Sequence, residues 1–156
     1  MHILVVDDDS VVRMSMRTML TAEGYKVTTA DDGERAVLKL SEEKFDLVIC
    51  DIYMPHIDGR KLRSIAREMP LSTKLPILFI SGHDDSQTQN VVHDNLIEGF
   101  FKKGKPIAEL LAWVKYLTAA PNKRPSLAPN VASKAAADHH YYGRTRERGS
   151  ARPPMV

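Results

Sequence analysis

The sequence holds one cysteine, Cys50, in 156 residues, which excludes an internal disulfide framework and any cysteine-built metal site. No apolar run approaches the length of a membrane span. A basic, apolar leader is also missing: Met1-His2-Ile3-Leu4-Val5-Val6 turns acidic at Asp7, so the front does not read as a secretory signal peptide. A cytoplasmic protein in a reducing compartment is the expectation. What remains, 43% hydrophobic and 27% charged residues, is the composition of one globular domain. Its charge is unevenly spread. Residues 1–120 carry 15 Lys+Arg against 18 Asp+Glu, whereas residues 121–156 carry 7 against 2.

Short β-branched runs alternate with amphipathic stretches. Strands are expected at 3–6, around Val27–Thr29, at 45–50, at 76–80 and at 99–101. Helices are expected after Ser10, a candidate cap, up to Gly24, then over 33–43, along Leu62, Ile65, Ala66 and Met69, over 84–97, and after Pro106. The 84–97 stretch is the most polar of these and reads as an exposed, partner-facing helix. Five strand–helix repeats require a parallel sheet with helices on both faces. Residues 119–156, rich in Ala, Pro, Ser and Arg, lack an apolar period and read as a disordered basic tail following a domain at 1–118. That tail is too short for a winged-helix output domain.

In open α/β sheets, function gathers at the carboxyl ends of the strands. Here those ends are Asp7-Asp8-Asp9, Asp51, Ser81, and Lys103 or Lys105. Clustered carboxylates repel one another, and a hard divalent cation, Mg²⁺ first, relieves that repulsion through oxygen ligands. Mg²⁺ readily shares a phosphate oxygen, a carboxylate can attack phosphorus, and a lysine and a hydroxyl can hold the transferred oxygens.

These residues resemble the receiver domain of two-component response regulators, including the chemotaxis regulators. The matching pieces are Leu4-Val5-Val6-Asp7-Asp8-Asp9, then Val48-Ile49-Cys50-Asp51-Ile52-Tyr53-Met54-Pro55 with Asp58-Gly59, then Phe79-Ile80-Ser81-Gly82, and Gly99-Phe100-Phe101-Lys102-Lys103. The resemblance spans residues 2 to about 118. It implies a flavodoxin-like doubly wound (βα)5 fold with strand order 2-1-3-4-5. Asp51 would be the phosphoacceptor. Mg²⁺ would be held by Asp8, Asp51 and the Tyr53 backbone carbonyl, with Asp7 acting through a water. Ser81 would be the switch hydroxyl and Phe100 the aromatic that follows it. Tyr53 and His83 would tune hydrolysis of the phosphoryl group. The register of the last helix favours Lys103 over Lys105 as the phosphoryl-binding lysine, which leaves Gly104 where relatives carry proline. The implied partners are a sensor histidine kinase or a histidine phosphotransfer protein, and an unidentified downstream protein met through the fourth helix, fifth strand and fifth helix. A phosphorylation-dependent homodimer is compatible with this reading.

A haloacid-dehalogenase-type phosphatase would need a second aspartate where Tyr53 stands, so the chain reads as a switch rather than an enzyme. A flavin binder on the same fold would need a Gly/Ser/Thr-rich loop in place of Asp7-Asp8-Asp9. A nucleic-acid-associated regulator would use Arg144, Arg146, Arg148 and Arg152 of the tail. Cys50 is expected to be buried, Trp113 to be partly exposed on the last helix, and His56 and His83 not to bind metal.

Overall fold

The apolar runs at 3–6, 47–50 and 77–80 form strands whose side chains bury on both faces of one sheet. The computed structural model describes residues 1–83, 88 and 90–129. Strands β1 (His2–Val6), β2 (Lys26–Ala30), β3 (Leu47–Asp51), β4 (Ile77–Ser81) and β5 (Glu98–Lys102) pair in parallel in the order β2-β1-β3-β4-β5. Among the described residues, four helices, α1 (Ser10–Ala22), α2 (Gly33–Glu42), α3 (Gly59–Glu68) and α4 (Ile107–Thr118), supply crossovers and cover. This is the parallel sheet that the alternation required, in the flavodoxin-like strand order that the resemblance implied. Among the described residues, no helix is long and apolar enough to cross a membrane.

Every residue of β3 and β4 is buried, which explains their unbroken apolar sequences. The two-residue period sends Leu4, Val6, Val48, Cys50, Ile77 and Phe79 into one core with Ala36 and Leu40 of α2 and Leu62 and Ala66 of α3. The alternate positions Ile3, Val5, Ile49, Leu78 and Ile80 are equally buried, and α1 and α4 contribute Met16, Leu20, Leu110, Val114 and Leu117. Side chains of this size, fully buried, each contribute about 2 kcal/mol.

The acidic residues beyond the strands also start helices. Asp9 caps α1, accepting from the Val11 amide at 2.8 Å, so the cap lies one residue before the expected Ser10. Asp32 and Asp58 cap α2 and α3 in the same way, each at 2.8 Å.

The structure departs from two expectations. The first is the stretch 84–97. Residues 84–87 and 89 lie outside the described residues, Thr88 is helical, and 90–97 form turns rather than a continuing helix. The Asp94 side chain accepts from the Leu96 amide at 2.9 Å, a local bond that competes with helix formation. Thr88 and Val91 are buried rather than facing solvent. The second is Trp113, which is 3% exposed because Gly99 of β5 leaves its ring a seat that a side chain would fill. The first compact unit runs from Met1 to Arg124 and includes a 3-10 turn at Pro121–Lys123. The second unit is Pro125–Val156, and residues 130–156, including the four tail arginines, lie outside the described residues.

A buried ionic network ties α3 to β5. Glu98, 3% exposed, meets Arg63 at 3.3 Å and Arg67 at 3.2 Å. Arg63 also donates to the Val91 carbonyl, and the His93 amide donates to Glu98 at 2.9 Å. Glu98 thus anchors both arginines and the turns before β5. Removing it strands a buried guanidinium, and Glu98→Ala should cost about 3–5 kcal/mol in urea denaturation. Glu42→Ala, which breaks an exposed pair with Lys39, should stay within about 0.5 kcal/mol.

Candidate functional site

Parallel register delivers the chemistry to one edge. Val6 pairs with Cys50, Asp51 with Ile80, and Ser81 with Lys102. The next residues along, Asp7 and Lys103, therefore flank Asp51 and Ser81. The ladder continues past the last strand residues: the Lys103 amide donates to the Ser81 carbonyl at 2.8 Å, and the Asp7 amide donates to the Ala30 carbonyl at 3.3 Å. The lysine and the aspartate are thus fixed by backbone bonds before their side chains meet.

Those side chains form a compact charged group. The Lys103 ammonium lies 2.8 Å from Asp7 Oδ2 and 3.0 Å from Asp51 Oδ2. Asp7 is fully buried and Asp51 is 7% exposed. Carboxylate oxygens of Asp7, Asp8 and Asp51 all lie within 4.8 Å of one another, with Asp8 on the exposed side. Lys105 instead points at Glu109, 3.7 Å away. Between the two candidate lysines, Lys103 is the one that touches the carboxylates. Gly104 follows it with φ of 91°, a conformation closed to proline.

The surrounding bonds hold each acid in place. Asp7 Oδ1 accepts from the Asp9 amide at 2.9 Å, and Arg13 donates to the Asp7 carbonyl at 2.7 Å. Asp51 Oδ1 accepts from the Tyr53 amide at 3.3 Å. The start of α3 presses on the same residue: a Cβ on Gly59 would lie 2.6 Å from the Asp51 carbonyl, so only glycine allows this approach. Ser81 is 1% exposed, and its hydroxyl accepts from the His83 amide at 3.0 Å. The Tyr53 and His83 rings meet edge to face at 5.3 Å, bridging the loops after β3 and β4, and Arg60 lies 5.6 Å over the tyrosine ring. Phe100 pairs with Phe79 and packs partly buried against the core. Asp31 and Asp32 sit apart, on Arg35 and on the α2 cap. His56 adopts a positive φ of 65° in the loop before α3. Sequence reasoning missed Arg13 and Arg60; only their spacing, one helical turn past Asp9 and beside Gly59, could have pointed to them.

Electrostatics and donor chemistry agree on what the site accepts. Burial raises the Asp51 pKa, the Lys103 hydrogen bond opposes that rise, and the nearby Asp7 charge adds to it. Burial alone would lower the Lys103 pKa, but its close contacts with the Asp7 and Asp51 carboxylates outweigh burial and raise it. Three carboxylates face one ammonium, and Asp7 Oδ2, buried, has an ion-pair contact but no aligned hydrogen bond. An all-oxygen set with unused lone pairs and excess negative charge fits Mg²⁺. Because the Asp51 pKa is raised on folding, its stabilising contribution is complete below the unfolded carboxyl pKa and is lost as pH rises through the folded value. In metal-free buffer Asp51→Asn should therefore melt above the wild type at neutral pH, and thermal scans should show the gap closing as pH falls into the ordinary carboxyl range.

Comparison with known proteins agrees with this geometry. The response regulator receiver domain model matches residues 3–115. Response regulator MprA of Mycolicibacterium vanbaalenii is 35% identical over 120 residues, covering 74% of this chain and 49% of its own. The chain thus spans about half the length of the curated relatives it matches. Among solved structures, the receiver domain of hybrid histidine kinase CckA is 33% identical with a TM-score of 0.64, covering 76% of this chain and all of its own. Chemotaxis protein CheY4 of Vibrio cholerae is 26% identical with a TM-score of 0.68, covering 74% of this chain and 97% of its own. With the strand order, the acidic edge and these matches in agreement, the chain belongs to the response regulator receiver family.

Proposed function

We propose that Asp51 accepts a phosphoryl group from a phosphohistidine of a sensor histidine kinase or histidine phosphotransfer protein in the cytoplasm. The observation that carries this reading is the Lys103 ammonium shared by two buried carboxylates at the sheet edge. Asp51 is the carboxylate beside both Lys103 and the Tyr53 amide, and it retains a little exposure where Asp7 has none. An Asp51 oxygen attacks phosphorus, the P–N bond breaks as the P–O bond forms, and the leaving imidazole takes up a proton. Lys103 then turns from the carboxylate to the transferred oxygens, and the Ser81 hydroxyl donates to one of them. Asp8, Asp51 and the Tyr53 carbonyl would hold Mg²⁺, with Asp7 acting through a water; the ion supplies positive charge against the phosphoryl oxygens.

The chain acts as a switch rather than as an enzyme on a separate substrate. Movement of Ser81 frees space for Phe100, and the change reaches the turns at 90–97, β5 and α4, where a downstream protein reads it. The Tyr53–His83 ring contact lies at the mouth of the site and slows water's approach to the acyl phosphate, so the phosphorylated state persists.

Incubation with acetyl phosphate and Mg²⁺ followed by intact mass measurement should show one phosphoryl adduct that is absent in Asp51→Asn; an adduct surviving that change would overturn the assignment. Decay of the adduct should quicken several-fold in Tyr53→Asn and in His83→Glu, measured by intact mass over time. Unchanged decay in both variants would remove the water-exclusion role.

A further inference from the structure

Ala119–Arg124 closes over the end of α4 in a way that a disordered tail would not. The Arg124 guanidinium donates to the Ala119 carbonyl at 3.1 Å and to the Leu117 carbonyl at 3.3 Å, two of the acceptors left open at a helix C-terminus. A third bond leaves the helix altogether and reaches the Leu96 carbonyl, in the turns before β5. The same group lies 5.2 Å over the Tyr116 ring, and Tyr116 meets Trp113 edge to face at 5.8 Å. Trp113 in turn fills the space above Gly99 of β5. One arginine therefore links the turns, α4 and, through two rings, β5. Those are the elements on which the proposed output depends.

A helix cap needs the first two bonds but not the third. The reach to Leu96 makes Arg124 a tie between the end of α4 and the turns before β5. A second observation lies on the same face: the indole N–H of Trp113 is buried with no hydrogen-bond partner. An unpaired buried donor is a cost of this arrangement that a second arrangement can relieve.

We propose that Arg124 is an autoinhibitory clasp: by tying Leu96 to the end of α4 it holds the output face closed and biases the protein toward its unphosphorylated arrangement. The proposal rests on the reading of Asp51 as phosphoacceptor. Coupling is reciprocal, so whatever phosphorylation does to open the clasp, opening the clasp does to favour phosphorylation.

The test uses the full chain with Arg124→Gln, with Arg124→Lys, which keeps the charge but not the planar fork, and with Lys123→Gln as a neighbouring charge control. Hydrogen exchange of the 90–97 amides without phosphoryl donor should quicken in Arg124→Gln, less so in Arg124→Lys, and not in Lys123→Gln. Emission from Trp113, the sole tryptophan, should shift in the same order. With acetyl phosphate and Mg²⁺, adduct formation should quicken in Arg124→Gln on the order of fivefold or more. Unchanged exchange at 90–97 would reduce Arg124 to a helix cap and overturn the clasp. Faster exchange with adduct formation equal to wild type would overturn the coupling. No adduct in any of the proteins, wild type included, would overturn the phosphoacceptor reading and the clasp with it.

Discussion

Two buried carboxylates share one ammonium at the edge of the sheet, and most of the structure follows from what that requires. Asp7, Asp51 and Lys103 come from the ends of three strands, so the sheet must bring those ends level. Parallel pairing does so without help from side chains, because each strand's register fixes the next residue along. The charges then decide what the edge can accept. Acids outnumber the base, burial keeps water from screening Asp7 and Asp51, and the surplus is negative. A site with that imbalance is incomplete by design, open to cations and to groups that arrive with their own charge.

Much of this was legible in the sequence because it is local. Apolar runs of four or five residues ending in Asp, Ser or Lys announce both a strand and what stands at its tip. Asp51, Ser81 and Lys103 needed no knowledge of their neighbours to be placed on one edge. The failures were non-local. Polarity at 84–97 suggested an exposed helix, but Val91 and Glu98 answer to Arg63 on α3, far away in the chain. Arg63 and Arg67 sit among Leu62 and Ala66 on a helix face that packs inward, and Glu98 opens β5 just ahead of Gly99-Phe100-Phe101. Read together, those three misplaced charges were a signal of a buried network. Trp113 was misjudged for a similar reason: its burial depends on the missing side chain of Gly99, which no helical period reveals.

The site and the fold are also less separable than a strand-end description suggests. Asp9 and Asp58 belong to the acidic loops, yet their carboxylates cap helices rather than face the pocket. Capping fixes where α1 and α3 begin, and α3 begins against the Asp51 carbonyl, at Gly59. The helix that carries Arg63 and Arg67 toward β5 therefore starts against Asp51 and ends in the ionic network. Displacement at one end has a rigid rod through which to act on the other.

The residue before Asp51 has a practical bearing of its own. Cys50 is fully buried in β3, its thiol donates to the Asp51 carbonyl at 3.1 Å, and burial pushes its pKa well above that of a free thiol. Thiol reagents act on exposed thiolate, and this side chain offers neither exposure nor charge. The native protein is therefore chemically silent toward maleimides while it stays folded. A cysteine introduced at an exposed position, such as Leu71 in the α3–β4 connection, could carry a fluorophore or spin label without first replacing Cys50.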